Sequence, residues 1–415
     1  MTAVDQSGVV IVGSGQAGYQ VAASLRDDGY QGPIALVGEE PGLPYQRPPL
    51  SKGFLAGKTP EHELALRPDS FYLDRDIGLL APERVARIER KARRVRLDSG
   101  RELHYAHLVL AVGARARLLR IPGADLRHVH ALRNRADAQA IHAQLQQAQR
   151  VVVIGAGFIG LEVAVVASAL GRQVHVIEFA DRALKRAVSK EVADFLVEAQ
   201  SQRGVVFSFS TGVVSLAGDN GKVSAVVTST GQTIPADLVV VGVGVEPNIE
   251  LAQDAGLYVD DGIVVNAELL TSDPDISAIG DCARFPVDFN PTPIRLESIQ
   301  NAVDQARCVA ARLAGKSAFG VKYSKVPWFW SDQGAYRLQI AGVSAATDAA
   351  VVRGDRSQGK FSVLRFRGER LTAVESINSA ADHIAARKLI AEEIPVSRSQ
   401  AADVSLKLSS LTHPS

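Results

Sequence analysis

A set of three glycines occurs twice in the chain with one spacing, and this spacing is used to bind dinucleotides. In the G-x-G-x-x-G pattern the first glycine permits a tight turn, the second lets the backbone approach a pyrophosphate, and the third lets a helix pack on a strand. The N-terminus of that helix then offers N–H groups and positive potential to the phosphates. The sequence therefore predicts two dinucleotide sites, one at Gly13, Gly15 and Gly18 and the other at Gly155, Gly157 and Gly160.

An acidic residue follows the second apolar run after each glycine set, Glu39 in the first case and Glu178 in the second. A carboxylate there can accept hydrogen bonds from both hydroxyls of an adenosine ribose and repels a 2′-phosphate, which favours NADH over NADPH at the second site. Arg182, Lys185 and Arg186 follow Glu178 closely and weaken this preference, because a nearby arginine is how NADPH sites hold the phosphate. NADH remains the favoured coenzyme, and the alternative interpretation of both acids is a solvated residue at a strand end.

The elements that must position these residues form a repeated unit. Each glycine set lies between an apolar run and a helix-like segment that ends before glycine, at residues 16–28 and 158–170. Residues 98–113 resemble residues 229–244, so an internal duplication of a dinucleotide-binding domain is the simplest account. From about residue 325 the pattern changes to short alternating strands followed by a helix. The predicted fold class is therefore α/β, with two Rossmann-like dinucleotide-binding domains and a C-terminal α+β domain.

The composition excludes several classes of function. The chain has 415 residues, and 46 Lys plus Arg against 45 Asp plus Glu give no basic excess that would favour nucleic-acid binding. Its longest apolar runs, such as residues 238–245, are far short of the ~20 residues that span a bilayer, so no membrane association is expected. The first residues lack a basic region followed by an apolar stretch, so we expect no secretory signal and a cytoplasmic location.

Five further motifs occur along the chain: PYQRPPLSK (44–52), ALRNRADA (131–138), TSDPDISAIGDCARF (271–285), RLESIQNAVDQAR (295–307) and VPWFWSDQG (326–334). A proline pair between an arginine and a lysine, as in the first motif, is unusual outside a functional loop. With both glycine loops, these motifs make the chain resemble the FAD-dependent, NADH-oxidising ferredoxin reductases of bacterial oxygenase systems, the family of putidaredoxin reductase and biphenyl-dioxygenase ferredoxin reductase.

This resemblance implies that the first glycine loop holds FAD and the second holds NADH, in a glutathione-reductase-like arrangement. It divides the chain into a discontinuous FAD-binding domain (1–114 and 245–325), an NADH-binding domain (115–244) and a C-terminal α+β domain (326–415). The implied reaction passes a hydride from NADH to the flavin, which then releases electrons singly to an iron–sulfur protein.

For FAD, the resemblance implies contacts from the first glycine loop, the proline loop, strand ends and a helix start. These residues are Gly13, Gly15, Ala17, Gly18, Glu39, Arg47, Lys52, Val85, Ala111, Arg133, Gly280, Asp281, Ser298, Ile299 and Trp328. Val85 is expected to pack on the adenine, Asp281 to bond the ribityl chain, and Ile299 to lie near the isoalloxazine ring. Residue 112 is valine where the family commonly has threonine, so a side-chain hydrogen bond from that position is not expected.

For NADH, the resemblance implies contacts from the second glycine loop, the helix that follows it and later strand ends. These residues are Gly155, Gly157, Ile159, Gly160, Glu162, Glu178, Arg186 and Gly244.

The resemblance also makes Lys52 and Glu162 the catalytic pair, with the lysine beside flavin N5. A lysine there favours electron density on the ring, while Glu162 anchors and orients the ammonium. The alternative interpretation is that Lys52 is a solvated loop residue and Glu162 a surface helix acid, since surface charges are common.

Residues 298–313 have an amphipathic spacing that predicts a helix, and Ser298 or Glu297 can cap its start. A helix N-terminus directed at the flavin pyrimidine would stabilise negative charge there through its dipole. The alternative interpretation is a packed helix without that role.

The cysteines argue against related thiol chemistry. Disulfide reductases with two Rossmann domains need a cysteine pair near the flavin, and the related peroxidases need one reactive cysteine, whereas here no cysteine precedes Cys282. Two cysteines also exclude a disulfide scaffold and a cysteine-rich metal site, and no metal is expected. We interpret Cys282 and Cys308 as small buried hydrophobic residues.

The implied partner is a two-iron two-sulfur ferredoxin, which serves a cytochrome-type monooxygenase or a Rieske dioxygenase indirectly. Arg307, Arg312 and Lys316, with Lys322 and Lys325 beyond them, lie in a stretch with few acids. A basic face there would steer an acidic ferredoxin, and the alternative is an ordinary solvated helix face.

Two other functions remain open at this point. A rubredoxin reductase would use the same machinery, and the sequence barely distinguishes it. A redox-sensing flavoprotein resembling apoptosis-inducing factor is the alternative from a different class. That alternative has less support, because the sequence shows no organelle-targeting segment and no long basic tract.

Overall fold

The computed structural model describes residues 7–287, 290–316 and 322–412. The helices, in chain order, are Gln16–Asp27 (α1), Asp69–Asp74 (α2), Arg135–Leu145 (α3), Phe158–Ala169 (α4), Lys190–Ser201 (α5), Glu250–Asp254 (α6), Ile299–Leu313 (α7), Ala380–Ala391 (α8) and Arg398–Ala402 (α9).

The strands, in chain order, are Gly8–Val12 (β1), Ile34–Val37 (β2), Ile77–Leu80 (β3), Val85–Glu89 (β4), Arg94–Leu97 (β5), Glu102–Leu110 (β6), Ala114–Ala116 (β7), Val129–Ala131 (β8), Arg150–Ile154 (β9), Gln173–Ile177 (β10), Val206–Ser208 (β11), Val213–Asp219 (β12), Lys222–Thr228 (β13), Thr233–Pro235 (β14), Leu238–Val241 (β15), Val245–Pro247 (β16), Ile263–Val264 (β17), Ile276–Ala278 (β18), Ala283–Val287 (β19), Asn290–Ile294 (β20), Trp328–Gln333 (β21), Tyr336–Gly342 (β22), Ala349–Asp355 (β23), Lys360–Arg367 (β24) and Arg370–Ile377 (β25).

The described residues form two compact units. The first comprises those of Met1–Gln46, His62–Arg115 and Glu246–Lys325, and the second those of Arg47–Glu61, Ala116–Val245 and Val326–Ser415. Residues 47–52 of the PYQRPPLSK motif, called the proline loop below, therefore belong to the second unit, together with the second glycine loop and the C-terminal strands, whereas residues 44–46 belong to the first.

The first unit is built on a mixed sheet of strand order β3-β2-β1-β6-β5-β4, and β18 pairs with β6. β1, β2, β3, β6 and β18 run parallel, whereas β4 and β5 form an antiparallel hairpin. β1 is apolar and buried along its whole length, as expected of a central strand covered on both faces. The parallel strands end at one edge, where β1 continues into Gly13 and β6 into Ala111.

Helices α1 and α7 pack against each other in the first unit. α1 buries an apolar stripe that includes Tyr19, Val21 and Leu25, and these residues join β1, β2 and α7 in one core. The predicted helix at residues 298–313 is observed as α7, and the Ser298 hydroxyl accepts the Asn301 N–H at 3.1 Å as its N-cap.

The second unit repeats this construction. A parallel sheet has the strand order β11-β10-β9-β15-β8, and α4 joins β9 to β10. A small antiparallel sheet, β12-β13-β14, packs with it around buried residues such as Leu216, Val226 and Val239.

The C-terminal part of the second unit is an antiparallel sheet of order β21-β22-β25-β24-β23 covered by α8. The predicted fold class, α/β with two Rossmann-like domains and a C-terminal α+β domain, is confirmed. Within the described ranges, no helix has the length and apolar character needed to cross a membrane.

The buried carboxylate of Glu375 links this C-terminal sheet to the N-cap of α5. Glu375 is fully buried on β25 and accepts hydrogen bonds from Ser189 N at 2.8 Å, from Ser189 Oγ at 2.5 Å and from the Arg365 guanidinium at 3.2 Å. Burial raises the pKa of Glu375, because the charged form is removed from water. The cap of α5 and the strand β24 are therefore held by one carboxylate.

Arg365→Ala is expected to destabilise the C-terminal sheet by about 3–5 kcal/mol, because it leaves the Glu375 charge buried without its cation. The measurement is urea unfolding followed by tryptophan fluorescence, since Trp328 and Trp330 are the only tryptophans of the chain and both lie in β21. The control is Arg370→Ala, which breaks an exposed pair with Glu393 and is expected to change stability by less than about 1 kcal/mol. Equal losses in both variants would contradict this assignment.

Candidate functional site

The two glycine loops have one steric design. Gly13 has φ +105° and Gly155 has φ +103°, a region that residues with a side chain rarely adopt. A Cβ on Gly13 would overlap the Ala111 carbonyl, and a Cβ on Gly155 would overlap the Gly242 carbonyl, so each loop lies against the end of a neighbouring strand. The fold itself therefore requires glycine at the first position of each motif.

The third glycines are also required by the fold. A Cβ on Gly18 would overlap the Gly13 carbonyl, and one on Gly160 would overlap the Gly155 carbonyl. Without side chains at these positions, α1 and α4 pack directly on their own loops.

The second glycines are different. Gly15 has φ −70° and Gly157 has φ −79°, which any residue adopts. A Cβ on Gly15 would meet no described atom within 4 Å, and one on Gly157 would meet only the Gly242 carbonyl, at 3.9 Å. The fold leaves this space open at both N-termini, as a loop that admits a pyrophosphate requires.

Both helices begin without a side-chain cap from the described residues. Ala17 is buried in the first turn of α1, whereas Ile159 of α4 is 43% exposed. The first-turn N–H groups of α1 and α4 are therefore available to an anionic group, which fits the dinucleotide sites expected at both loops.

The acids at the strand ends lie beside these loops. Gly38, just before the exposed Glu39, approaches Ser14 so closely that a Cβ would overlap the Ser14 hydroxyl. Glu178 accepts hydrogen bonds from Ala156 N in the second glycine loop and from Ala180 N, both at 2.7 Å. The Glu178 carboxylate is therefore held at the second loop by backbone donors.

The basic residues behind Glu178 have other partners. The Arg182 guanidinium donates to the carbonyls of Ala183, Lys185 and Val188, and Lys185 pairs with Asp181 at 3.1 Å. The Arg186 guanidinium lies 3.9 Å from the Cβ position of Gly244. Arg186 and Gly244 are therefore neighbours in the second unit, whereas the Arg182 guanidinium bonds backbone carbonyls of the segment that follows it.

In the first unit, the end of β18 lies against α1 and α7. Gly280 has φ +74° and its N–H donates to Gln305 Oε1 at 2.7 Å, and its Cβ position is 3.2 Å from Ala17. Asp281 follows Gly280 directly, and Ile299 is the first residue of α7.

Two further positions from the sequence analysis lie in the first unit. Val85 is buried at the start of β4. The Val112 carbonyl accepts a hydrogen bond from the Asn248 side-chain amide at 2.8 Å.

Other expected FAD residues belong to the second unit: Arg47, Lys52, Arg133 and Trp328. The structure brings Arg47 and Arg133 together, since the Arg47 guanidinium donates to the Arg133 carbonyl at 2.7 Å. The residues expected for FAD are thus divided over both units, whereas every residue expected for NADH lies in the second.

Lys52 and Glu162 form an ion pair in the second unit. Lys52 Nζ lies 2.9 Å from Glu162 Oε2, and the side chains are 22% and 3% exposed, respectively. Lys52 follows the short helical turn Pro48–Ser51. This turn and β21 both contact α4, the helix that carries Glu162. Glu162 is therefore a buried carboxylate and not a surface helix acid.

Sequence reasoning missed two residues at this pair. Ser51 Oγ donates to Glu162 Oε2, and Ser331 Oγ donates to Glu162 Oε1 at 2.6 Å. Both serines lie in motifs already singled out, PYQRPPLSK and VPWFWSDQG, and that membership was the available signal.

The tryptophans of β21 are partly exposed and contact each other. The ring centroids of Trp328 and Trp330 are 5.7 Å apart, and the Arg387 guanidinium lies 4.9 Å from the Trp328 ring centroid. The rings of His383 and Trp328 are in a T-shaped contact, and burial lowers the pKa of His383 to about 4.

The structure corrects one residue of the expected docking face. Arg307 and Lys316 are exposed, but Arg312 turns inward, where it donates to the Glu268 carbonyl and, at 2.7 Å, to Ser277 Oγ. Burial lowers the pKa of Arg312, which fits its position beside the core. The charge pattern of the sequence could not separate this arginine from its exposed neighbours.

Neither cysteine is placed for thiol chemistry. Cys282 is fully buried and contacts the carbonyls of Leu110 and Ile279, and burial raises the pKa of its thiol to about 11. Burial also raises the pKa of Cys308. A thiolate is the reactive form, so both thiols are unsuited to a redox relay near neutral pH.

Comparison with known proteins agrees with this geometry. Residues 7–306 match the profile of the pyridine nucleotide-disulphide oxidoreductase family, and residues 328–412 match the profile of the reductase C-terminal domain. The chain is 49% identical to rhodocoxin reductase of Rhodococcus erythropolis over 400 residues, which cover 96% of this chain and 93% of that protein. It is 41% identical to a rubredoxin-NAD(+) reductase of Pseudomonas putida over 370 residues, 89% of this chain and 95% of that protein.

The chain is also similar to solved structures of reductases. The ferredoxin reductase of the CYP199A2 system from Rhodopseudomonas palustris has a TM-score of 0.95 and 44% identity, covering 98% of this chain and 100% of that one. The reductase in the covalent putidaredoxin reductase–putidaredoxin complex has a TM-score of 0.94 and 40% identity, with 98% of each chain covered. With two open glycine cradles, a strand-end acid at each and matches along nearly its whole length, the chain belongs to the pyridine nucleotide-disulphide oxidoreductase family.

Proposed function

We propose that this protein is an NADH-dependent ferredoxin reductase with FAD as its cofactor. The observation that carries the proposal is the presence of two dinucleotide cradles in one chain, each with a central glycine that the fold does not need. The relatives named above are called reductases of rhodocoxin, rubredoxin, ferredoxin and putidaredoxin, and these names supply the direction of the proposed reaction.

The residues of each cradle suit the cofactor proposed for it. FAD is assigned to the first loop, with Glu39 for the ribose hydroxyls and Asp281 for the ribityl chain. NADH is assigned to the second loop, with Glu178 for the ribose and with Arg186 and Gly244 beside it. Glu178 accepts two backbone hydrogen bonds and keeps its carboxylate at the loop, which supports NADH over NADPH because a 2′-phosphate would meet this charge.

When bound, FAD accepts a hydride from NADH and returns electrons one at a time. The chain contributes position and charge to this chemistry. The α7 N-terminus, capped by Ser298, provides positive potential that suits a ring carrying negative charge. Lys52, held by Glu162, is proposed to provide a second positive charge.

The electron acceptor is proposed to be a separate protein. The two cysteines are buried or half-buried with raised thiol pKa values, so they are unsuited to carry electrons as a disulfide relay. We infer a two-iron two-sulfur ferredoxin that feeds a cytochrome-type monooxygenase or a Rieske dioxygenase.

We infer that the ferredoxin docks near Arg307 and Lys316, with Lys322 and Lys325 adding positive charge. These side chains are exposed, and a basic face attracts an acidic partner. Arg312 is left out of this surface because its guanidinium is bonded internally.

Rubredoxin remains the second candidate acceptor, because a relative of 41% identity bears that name. The redox-sensing alternative gains no support from the relatives reported above, all of which are named as reductases. The cytoplasmic location stays a prediction.

The proposed activity is tested with purified, FAD-loaded protein, NADH and cytochrome c. Reduction of cytochrome c is expected to depend on an added two-iron ferredoxin and to be much slower with rubredoxin in its place. Faster turnover with rubredoxin would assign the second candidate. A long-lived coloured complex with NADH and no turnover with either carrier would overturn the reductase proposal.

Gly15→Ala is expected to leave the flavin-free fold unchanged and to weaken FAD binding roughly tenfold or more, because the new methyl occupies the space that the pyrophosphate needs. FAD affinity is measured by titration calorimetry and stability by thermal unfolding of flavin-free protein. Gly157→Ala is expected to retain FAD and to raise the KM for NADH by a similar factor.

The matched contrast is Gly18→Ala, which is expected to destabilise the flavin-free protein because its Cβ would overlap the Gly13 carbonyl. Unchanged FAD affinity in Gly15→Ala would remove the first loop as the cofactor site.

Arg307→Glu is expected to lower kcat/KM for ferredoxin about five- to tenfold at low salt, with less effect as salt rises, because steering by opposite charges is screened. Turnover with ferricyanide, a small acceptor, is expected to stay unchanged. The control is Arg87→Glu on β4, an exposed arginine outside the proposed surface. An equal loss with both acceptors would contradict docking at Arg307.

A further inference from the structure

A chain of buried hydrogen bonds joins the C-terminal sheet to the Lys52–Glu162 pair. It begins on β21, where Ser331 Oγ donates to Glu162 Oε1 at 2.6 Å. The other carboxylate oxygen, Oε2, accepts from Lys52 Nζ at 2.9 Å and from Ser51 Oγ. Each oxygen of Glu162 is thus held by a different part of the chain.

The direction of these hydrogen bonds is set by what each group can donate. The Ser331 hydroxyl has one hydrogen, which it donates to Glu162, so its oxygen can only accept further hydrogen bonds. Gln333 Nε2 donates to this oxygen at 2.8 Å. Gln333 Oε1 in turn accepts Gln200 Nε2 at 3.0 Å, from α5. Every donor in this row therefore points toward the Glu162 carboxylate.

The row is almost completely removed from water. Ser331 is fully buried, and Ser51, Gln333, Gln200 and Glu162 are each no more than 3% exposed. A buried carboxylate is tolerated where charge and hydrogen-bond donors compensate it. Here Lys52 provides the charge on one oxygen, while Ser331 fixes the orientation of the other.

We propose that Ser331 is a positioning residue whose hydroxyl, supported by Gln333, fixes the rotation of the Glu162 carboxylate and thereby the place of the Lys52 ammonium. Lys52 has a long, flexible side chain, so its position depends on how firmly its partner is held. The role of this placement in electron transfer rests on the proposed function, since it assumes that Lys52 acts on FAD. β21 also carries Trp328 and Trp330, so one strand of the C-terminal sheet reaches the proposed catalytic pair.

The first test uses chemical labelling of Lys52 in the full-length protein, both flavin-free and FAD-loaded. Ser331→Ala is expected to accelerate acetylation of Lys52 by acetic anhydride about three- to tenfold, measured by peptide mass spectrometry, because a less restrained Glu162 releases the amine more often. The control is Ser362→Ala, which removes another fully buried serine of the same sheet that donates to a carboxylate, Asp382, at 2.9 Å. Its Lys52 labelling is expected to stay within twofold of the parent protein.

The second test is a double-mutant cycle on the rate at which NADH bleaches the flavin without air. Ser331→Ala is expected to slow this rate about tenfold in the parent protein and to add no further slowing in the Lys52→Met background. Multiplied losses in the double variant would mean that Ser331 acts by general packing, and this would overturn the proposal.

A second variant guards against a folding failure of Ser331→Ala. Gln333→Met keeps the bulk of the side chain and removes the donor behind Ser331, so a smaller increase in Lys52 labelling is expected. Ser331→Thr, which keeps the hydroxyl, is expected to label as the parent protein does. Unchanged Lys52 labelling in both Ser331→Ala and Gln333→Met would overturn the positioning role.

The experiments distinguish a failure of the proposed reductase function from a failure of the positioning role of Ser331. Labelling of Lys52 requires no electron acceptor, so a protein that reduces no carrier but shows faster labelling in Ser331→Ala would lose only the proposed function. Normal ferredoxin reduction together with unchanged labelling in both Ser331→Ala and Gln333→Met would overturn only the role of Ser331.

Discussion

Glu162 places a carboxylate in the interior of the second unit, and side chains from two other segments of that unit bond both of its oxygens. A buried charge is stable only where a cation and hydrogen-bond donors replace water. The cation comes from Lys52, at the end of the proline turn, and the donors come from Ser51 and Ser331. One carboxylate therefore contacts two segments that are distant in sequence from its own helix α4: the proline loop and β21.

The glycine loops show a second constraint, which acts through space and not through charge. In both loops the first and third glycines are needed because carbonyl oxygens lie where a Cβ would be, and the second is not. The same division of roles in both units agrees with the duplication read from the sequence. It also separates what the fold requires from what a ligand requires, because the described residues leave the space at Gly15 and Gly157 open.

The surroundings of Arg312 differ from those of the basic residues near it in the sequence. Its basic neighbours Arg307 and Lys316 are exposed, and a charge count gives all three the same meaning. Arg312 lies on the part of α7 next to buried Val309, and its guanidinium reaches two polar partners, the Glu268 carbonyl and Ser277 Oγ. A long amphipathic side chain can turn toward the interior when such partners exist, and their presence depends on segments that pack beside the helix.

The sequence by itself determined the features that depend on neighbouring residues: the two strand–loop–helix units, the acid that follows each, and the α7 helix, whose cap it narrowed to Ser298 or Glu297. These are local because a turn, a helix start or a strand end involves few consecutive residues. Only the tertiary structure decided that Ser51 and Ser331 share Glu162, across separations of 111 and 169 residues. A hydrogen bond needs its two atoms within about 3 Å, and no sequence spacing specifies which distant side chains the packing of sheets and helices will bring that close.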